Sequence, residues 1–175
     1  SAVDGGFLYL CHNCGFKGGT HDRGTAPQMA RPARHPIHAG GKVKFENRKW
    51  DGVYQLKPYP IWDGAKRFRR DMYIPDSFHC LSFHAKKHLP IGRGGAILTN
   101  DKNAVEWFKL ARFDGRHECA LSKDNLSMVG WNCYMTPEQA ARGLLLLSMT
   151  KDYNDDLIEN PPYQDLSKYE MYSKS

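Results

Sequence analysis

At 175 residues, 41% of them hydrophobic, the chain holds enough apolar material for one domain with a buried core. No apolar run approaches the ~20 residues needed to cross a bilayer, and Ser1-Ala2-Val3-Asp4-Gly5-Gly6 lacks the charged-then-apolar order of a signal peptide, so a soluble, cytoplasmic protein is expected. The net charge of +6 is uneven: residues 31–93 hold 14 Lys and Arg against 5 Asp and Glu, whereas residues 94–175 hold 9 against 12.

The first element in chain order is Phe7-Leu8-Tyr9-Leu10, an apolar strand running into Cys11-His12-Asn13-Cys14-Gly15. A Cys-x-x-Cys pair on a glycine turn points both thiolates at one ion, which is half of a zinc ribbon. Residues 7–19 resemble the zinc-ribbon turn of phage-type primases. Zinc takes four ligands, and no second such pair follows. His35 and His38 could complete a Cys2His2 set with Cys11 and Cys14; the other reading is a strand and turn with two reduced thiols. Five cysteines, an odd count, argue against a disulfide framework. Residues 18–34 lack apolar periodicity and read as a linker, so 1–35 is expected to be a zinc-ribbon-like segment ahead of an α/β region over 36–150.

Within that region, Tyr59 to Trp62, Phe78 to Phe83 and Gly95 to Thr99 are apolar runs of strand length. Between the first two lies Lys66-Arg67-Phe68-Arg69-Arg70, which is either a phosphate-attracting cluster, for a nucleotide, cofactor or nucleic acid, or a solvated basic face. Asn100 or Asp101 can cap a helix to about Arg112, with Val105, Phe108, Leu110 and Ala111 on its apolar face. A second helix opens with Thr136 as N-cap, Pro137 at the first position and Gln139 at the capping-box position. Its residues are apolar nearly all round, through Leu144 to Leu147, so burial is expected. Residues 151–175, acidic, tyrosine-rich and broken by Pro161-Pro162, read as an extended arm.

The segment from Ser82 to Asp101 (Ser-Phe-His-Ala-Lys-Lys-His-Leu-Pro-Ile-Gly-Arg-Gly-Gly-Ala-Ile-Leu-Thr-Asn-Asp) carries the most chemistry. It sets a lysine after one apolar strand and a glycine-rich turn before the next. A lysine beside Ser82 and His84 whose charge is partly suppressed can attack a carbonyl and form a Schiff base. From composition alone the same string is a basic hairpin.

The order of residues resembles the lysine motif of the DegT family of pyridoxal-phosphate-dependent nucleotide-sugar aminotransferases. That motif reads Ser-Phe-His-Ala-Thr-Lys, a spacer, then Gly-Glu-Gly-Gly and a strand ending in Thr-Asn-Asp; here Lys86 replaces Thr and Arg93 replaces Glu. Pro36-Ile37-His38-Ala39-Gly40-Gly41 is similar to the family's Pro-Val-His-Leu-Tyr-Gly loop. Tyr59 to Lys66 resembles its strand ending in Glu-Asp-Ala-Ala-Gln, and Gly130 to Ala141 its Gly-Tyr-Asn-Tyr-Arg-Met-Ser-Glu-Ile-Gln-Ala-Ala run. The resemblance implies part of the large-domain sheet of such an enzyme, with flanking helices and without the family's usual N-terminal half.

The resemblance also implies the site. Lys87, not Lys86, forms the Schiff base with the cofactor; Asp63 keeps the pyridine nitrogen protonated so that the ring acts as an electron sink. Ser82 binds the phosphate, His84 packs near the cofactor, and Asn132 reaches the cofactor phosphate of a neighbouring subunit, hence a homodimer or a complementing chain. Two departures stand out: Lys66 replaces a glutamine near the ring hydroxyl, and Tyr134 replaces an arginine. The expected function is amino-group transfer to a nucleotide-linked keto sugar. The alternative is a non-enzymatic, zinc-ribbon-containing protein that associates with nucleic acid through the basic 31–93 segment.

Overall fold

A computed structural model describes residues 8–9, 51–158 and 168–170. Five short strands form one sheet: β1 (Leu8–Tyr9), β2 (Tyr54–Gln55), β3 (Ile61–Asp63), β4 (Phe78–Ser82) and β5 (Gly95–Leu98), in the order β1-β5-β4-β3-β2. Only β3 and β4 run parallel, with Asp63 level with Cys80; the other neighbours are antiparallel. The sheet is therefore mixed. Parallel neighbours need a crossover, here residues 64–77, whereas β4 and β5 are joined directly by residues 83–94.

Alternation along the strands sorts side chains onto two faces. Leu81, Phe83 and Ala96 point to one face and form a cluster with Leu89 and Ile91, against which Met135 and Leu146 pack. Ile97 points to the other face and meets Phe108, with Phe78 and Cys80 beside them. Phe108 belongs to helix α1 (Lys102–Arg112), whose N-cap Asp101 accepts a 3.0 Å hydrogen bond from the Ala104 amide. Both helix starts agree with the sequence. In helix α2 (Pro137–Met149) the Thr136 hydroxyl accepts from the Gln139 amide, and the Gln139 side chain accepts from the Thr136 amide.

The expected burial of α2 is not observed. Gly143 is its one buried residue, seated against Ile91, while Leu144 and Leu145 are 64% and 62% exposed. One stripe of α2 covers the sheet, and nothing among the described residues covers the rest. A cavity of ≈ 530 Å³ separates the helix from the sheet, with Phe83, Leu98 and Leu147 among its walls.

The basic cluster also resolves differently from either sequence reading. Residues 152–157 lie antiparallel along residues 66–70 as a strap: the Arg70 amide donates to the Asp152 carbonyl (2.6 Å), Asn154 Nδ2 to the Phe68 carbonyl (2.7 Å) and the Leu157 amide to the Lys66 carbonyl (2.9 Å). Arg67 forks onto the Asp156 carboxylate, Arg70 pairs with Asp152, and Arg69 lies over the Tyr153 ring and donates to its hydroxyl. Arg67 and Asp156 are each 18% exposed, which makes their pair the anchor. Gly52, with φ +66, supplies the space: a Cβ there would strike the Asp156 carboxylate.

The Arg67 hydrogen bond holds the Asp156 carboxyl below the ordinary carboxylate range. Its contribution is thus present above the unfolded-state pKa and fades as pH falls through the folded one. Asp156→Asn is expected to lower stability by about 2 kcal/mol at neutral pH, since one charged hydrogen-bonding partner is lost and Arg67 is left half-satisfied. Urea midpoints of parent and variant at pH 7 check this; coincident midpoints would show that the strap is only loosely attached.

Candidate active site

The parallel pair determines where functional side chains can meet. In open α/β sheets ligands gather beyond the carboxyl ends of parallel strands. Asp63 ends β3 and Ser82 ends β4, so both stand at that edge; their alternation with Cys80 places them on the same face. Asp63 Oδ1 accepts from the Ala65 amide (2.8 Å) and Oδ2 from the Tyr54 hydroxyl (2.7 Å), so the carboxylate is held by one donor on each oxygen. Cys80 lies beside it. Burial first, and then the negative charge of Asp63, pushes its thiol up to about 12, so it stays protonated and is no nucleophile.

Beyond Ser82 the chain turns at once. The Ser82 hydroxyl accepts from the His84 amide (3.4 Å), the His84 carbonyl accepts from the Lys87 amide (2.9 Å), and His84 Nδ1 accepts from the Lys86 amide (3.3 Å). This turn separates the two lysines: Lys86 is exposed and Lys87 half-buried. The chain returns through Gly92 and Gly94, at φ of 114° and 91°, conformations that glycine adopts without strain. Gly95 then pairs with Ser82 so closely that a Cβ would stand 2.2 Å from the Leu81 carbonyl oxygen.

The remaining expected residues lie on other segments or make other contacts. Asn132 is exposed, bridged to Phe113 and donating to the Asp114 carboxylate (3.3 Å) just beyond α1; three residues later Met135 packs on Gly94. Tyr134 is edge-to-face with Phe113 at 5.2 Å. Lys66 is buried, three residues from Asp63. Cys11, Cys14, His35 and His38 lie outside the described residues, and no cluster of three or more metal-ligating side chains occurs among the described ones.

Two residues at this edge were not foreseen. Tyr54 is 5% exposed and directly opposite Asp63 in the β2–β3 register. His79 is fully buried, with its ring against Gly64, where a Cβ would lie 2.2 Å from Nε2. Neither ring nitrogen of His79 makes a well-formed hydrogen bond. Burial, then the Arg67 charge, lowers its pKa to about 4, against a weaker opposing pull from the Met72 backbone. Nothing local in the sequence marks Tyr54: Val53 and Tyr54 are adjacent rather than alternating, and β2 is only two residues long.

Residues 74–160 match the family described as the DegT/DnrJ/EryC1/StrS aminotransferase family. Over those residues, just under half of the chain, the sequence is similar to that family. Similar folds occur in the Helicobacter pylori aminotransferase PseC, involved in the biosynthesis of pseudoaminic acid (19% identity, covering 77% of this chain and 48% of that one, TM-score 0.58). The sugar aminotransferase CalS13 from Micromonospora echinospora is likewise similar (13% identity, 81% and 55% covered, TM-score 0.62), as is 3-amino-5-hydroxybenzoic acid synthase (13% identity, 81% and 51% covered, TM-score 0.60). The chain thus spans about half the length of these structures, and at such identities the likeness establishes the fold alone. No curated protein matches the chain. Among the described residues, no helix of this chain is long and apolar enough to cross a membrane.

Proposed function

We propose that the chain is a pyridoxal-phosphate-dependent aminotransferase, or a portion of one, that passes an amino group to a nucleotide-linked keto sugar in the cytoplasm. The observation that carries this reading is the arrangement at one sheet edge: Asp63 and Ser82 on one face, followed by half-buried Lys87. These residues suit the cofactor's chemistry. Asp63 offers an oriented carboxylate to the ring nitrogen, Ser82 a hydroxyl to the phosphate, and Lys87 the amine that anchors the cofactor; His84 holds the turn that presents it.

When bound, the cofactor supplies an electron sink for carbanion chemistry. The chain's own part is to keep the ring nitrogen protonated through Asp63 and to move a proton through the Lys87 amine as general base. Asn132, exposed on its loop, is suited to a cofactor phosphate in a second copy, which motivates a homodimer; the uncovered stripe of α2 suits that copy or a complementing chain. The nucleic-acid reading has less support, because the arginines at 67, 69 and 70 are engaged by the strap. Zinc held by Cys11, Cys14, His35 and His38 remains a separate proposal, checked by elemental analysis.

The test is reduction of the chain with borohydride in the presence of pyridoxal phosphate, followed by peptide mapping. A pyridoxyl group on Lys87 is the expected result; one on Lys86, or on neither lysine, would defeat the assignment.

A further inference from the structure

We infer that Tyr54 is a positioning residue for Asp63, fixing through its hydroxyl which face of that carboxylate is offered to the cofactor's ring nitrogen. The inference rests on the cofactor reading above and adds to it a residue on β2, outside every motif that the sequence presents.

Tyr54 and Asp63 are opposed in the antiparallel β2–β3 register, so their side chains leave the sheet on the same side. The phenol is 5% exposed and its hydroxyl donates a 2.7 Å hydrogen bond to Asp63 Oδ2. The other oxygen, Oδ1, accepts from the Ala65 amide at 2.8 Å. A carboxylate oxygen has two acceptor sites, so a donor on each leaves capacity for a ring N–H. It also removes the freedom of the group to rotate about its last torsion, which is soft in aspartate. With the Ala65 amide alone, the carboxylate would be pinned at one oxygen and could swing the other away.

The tyrosine is itself held in place. Arg67 donates to the Asp51 carbonyl at 2.9 Å while forking onto Asp156, and the Asp156 carboxylate packs on Gly52. The two residues preceding Val53 and Tyr54 are therefore tied to the strap. A strand of two residues would otherwise be a poor platform for orienting a side chain. Groups that must be held to within a fraction of an ångström depend on such support around them.

Tyr54→Phe is the decisive change, because it keeps the buried ring and removes only the donor. In the cofactor-free chain, the side-chain carboxyl 13C resonance of Asp63 is expected to move in Tyr54→Phe, while the melting temperature stays within a few degrees of the parent's. Pyridoxal phosphate, titrated by its visible absorbance, should bind on the order of tenfold more weakly, the loss of one hydrogen bond to a charged group. The 15N resonance of ring-labelled cofactor should report a smaller protonated fraction. In an Asp63→Asn background the same change should have no further effect. A parent and a Tyr54→Phe variant that bind the cofactor equally, with the Asp63 resonance unmoved, overturn the role of Tyr54 and leave the cofactor reading intact. A parent that takes no cofactor, with no label on Lys87, overturns the cofactor reading and this role with it.

Discussion

Lys87→Ala is expected to leave the chain without covalently reducible cofactor and to slow a transamination half-reaction, with glutamate as donor, by at least about a thousandfold. Two losses combine. In the proposed function the amine that anchors the cofactor is gone, and so is the base that shuttles the substrate proton, a contribution of roughly 10²–10⁴ by itself. Lys86→Ala is the matched control, because Lys86 is exposed and its amide, not its amine, is used in the turn against His84 Nδ1. That variant should stay within a few-fold of the parent. Stopped-flow absorbance of the half-reaction checks both. Equal losses in the two variants would mean that the lysines act only as positive charge, and a Lys87→Ala protein with parental rates would remove Lys87 from the chemistry. The variant should fold, since among the described residues Lys87 holds the turn through its backbone amide.

The second large effect is on stability. His79 is buried beside Arg67 and stays neutral in the folded chain down to a pKa of about 4, whereas the unfolded chain protonates it near 6.5. Between those values the unfolded state binds more protons, so stability must rise with pH and fall as acid is added. From pH 7 to pH 5 the expected loss is about 2 kcal/mol from this side chain alone. His79→Leu, of similar size and without a titrating group, should flatten that slope while the depressed Asp156 continues to act at lower pH. Urea midpoints at pH 5, 6 and 7 decide it; identical slopes in parent and variant would show that His79 takes up its proton without unfolding. The same histidine explains why residue 64 is glycine, since any side chain would enter the imidazole.

Much of the site was legible because its information is local. The Ser82–Asp101 string encodes strand, turn and strand through residue order alone, and the turn needs glycine at positions of positive φ. The α2 capping box is likewise complete within four residues, and both helix starts were read correctly for that reason. Tyr54 was invisible because its role depends on a register nine residues away across a hairpin, with no pattern of its own.

The exposure of α2 is not legible in the sequence for a related reason. An apolar helix states what it prefers to touch, but whether a surface reaches it depends on the rest of the fold. The strap is the clearest case. In sequence, Lys66 to Arg70 is a basic cluster and residues 152–156 an acidic stretch more than 80 positions later, each read separately as solvated or extended. Sequence by itself determined β1, β3, β4 and β5, the helix caps and the glycine turn, all set by neighbours in the chain. Tertiary structure alone decided that β3 and β4 run parallel, that Tyr54 faces Asp63, and that Arg67 meets Asp156, because contacts between distant segments depend on topology and on which charges can be desolvated together.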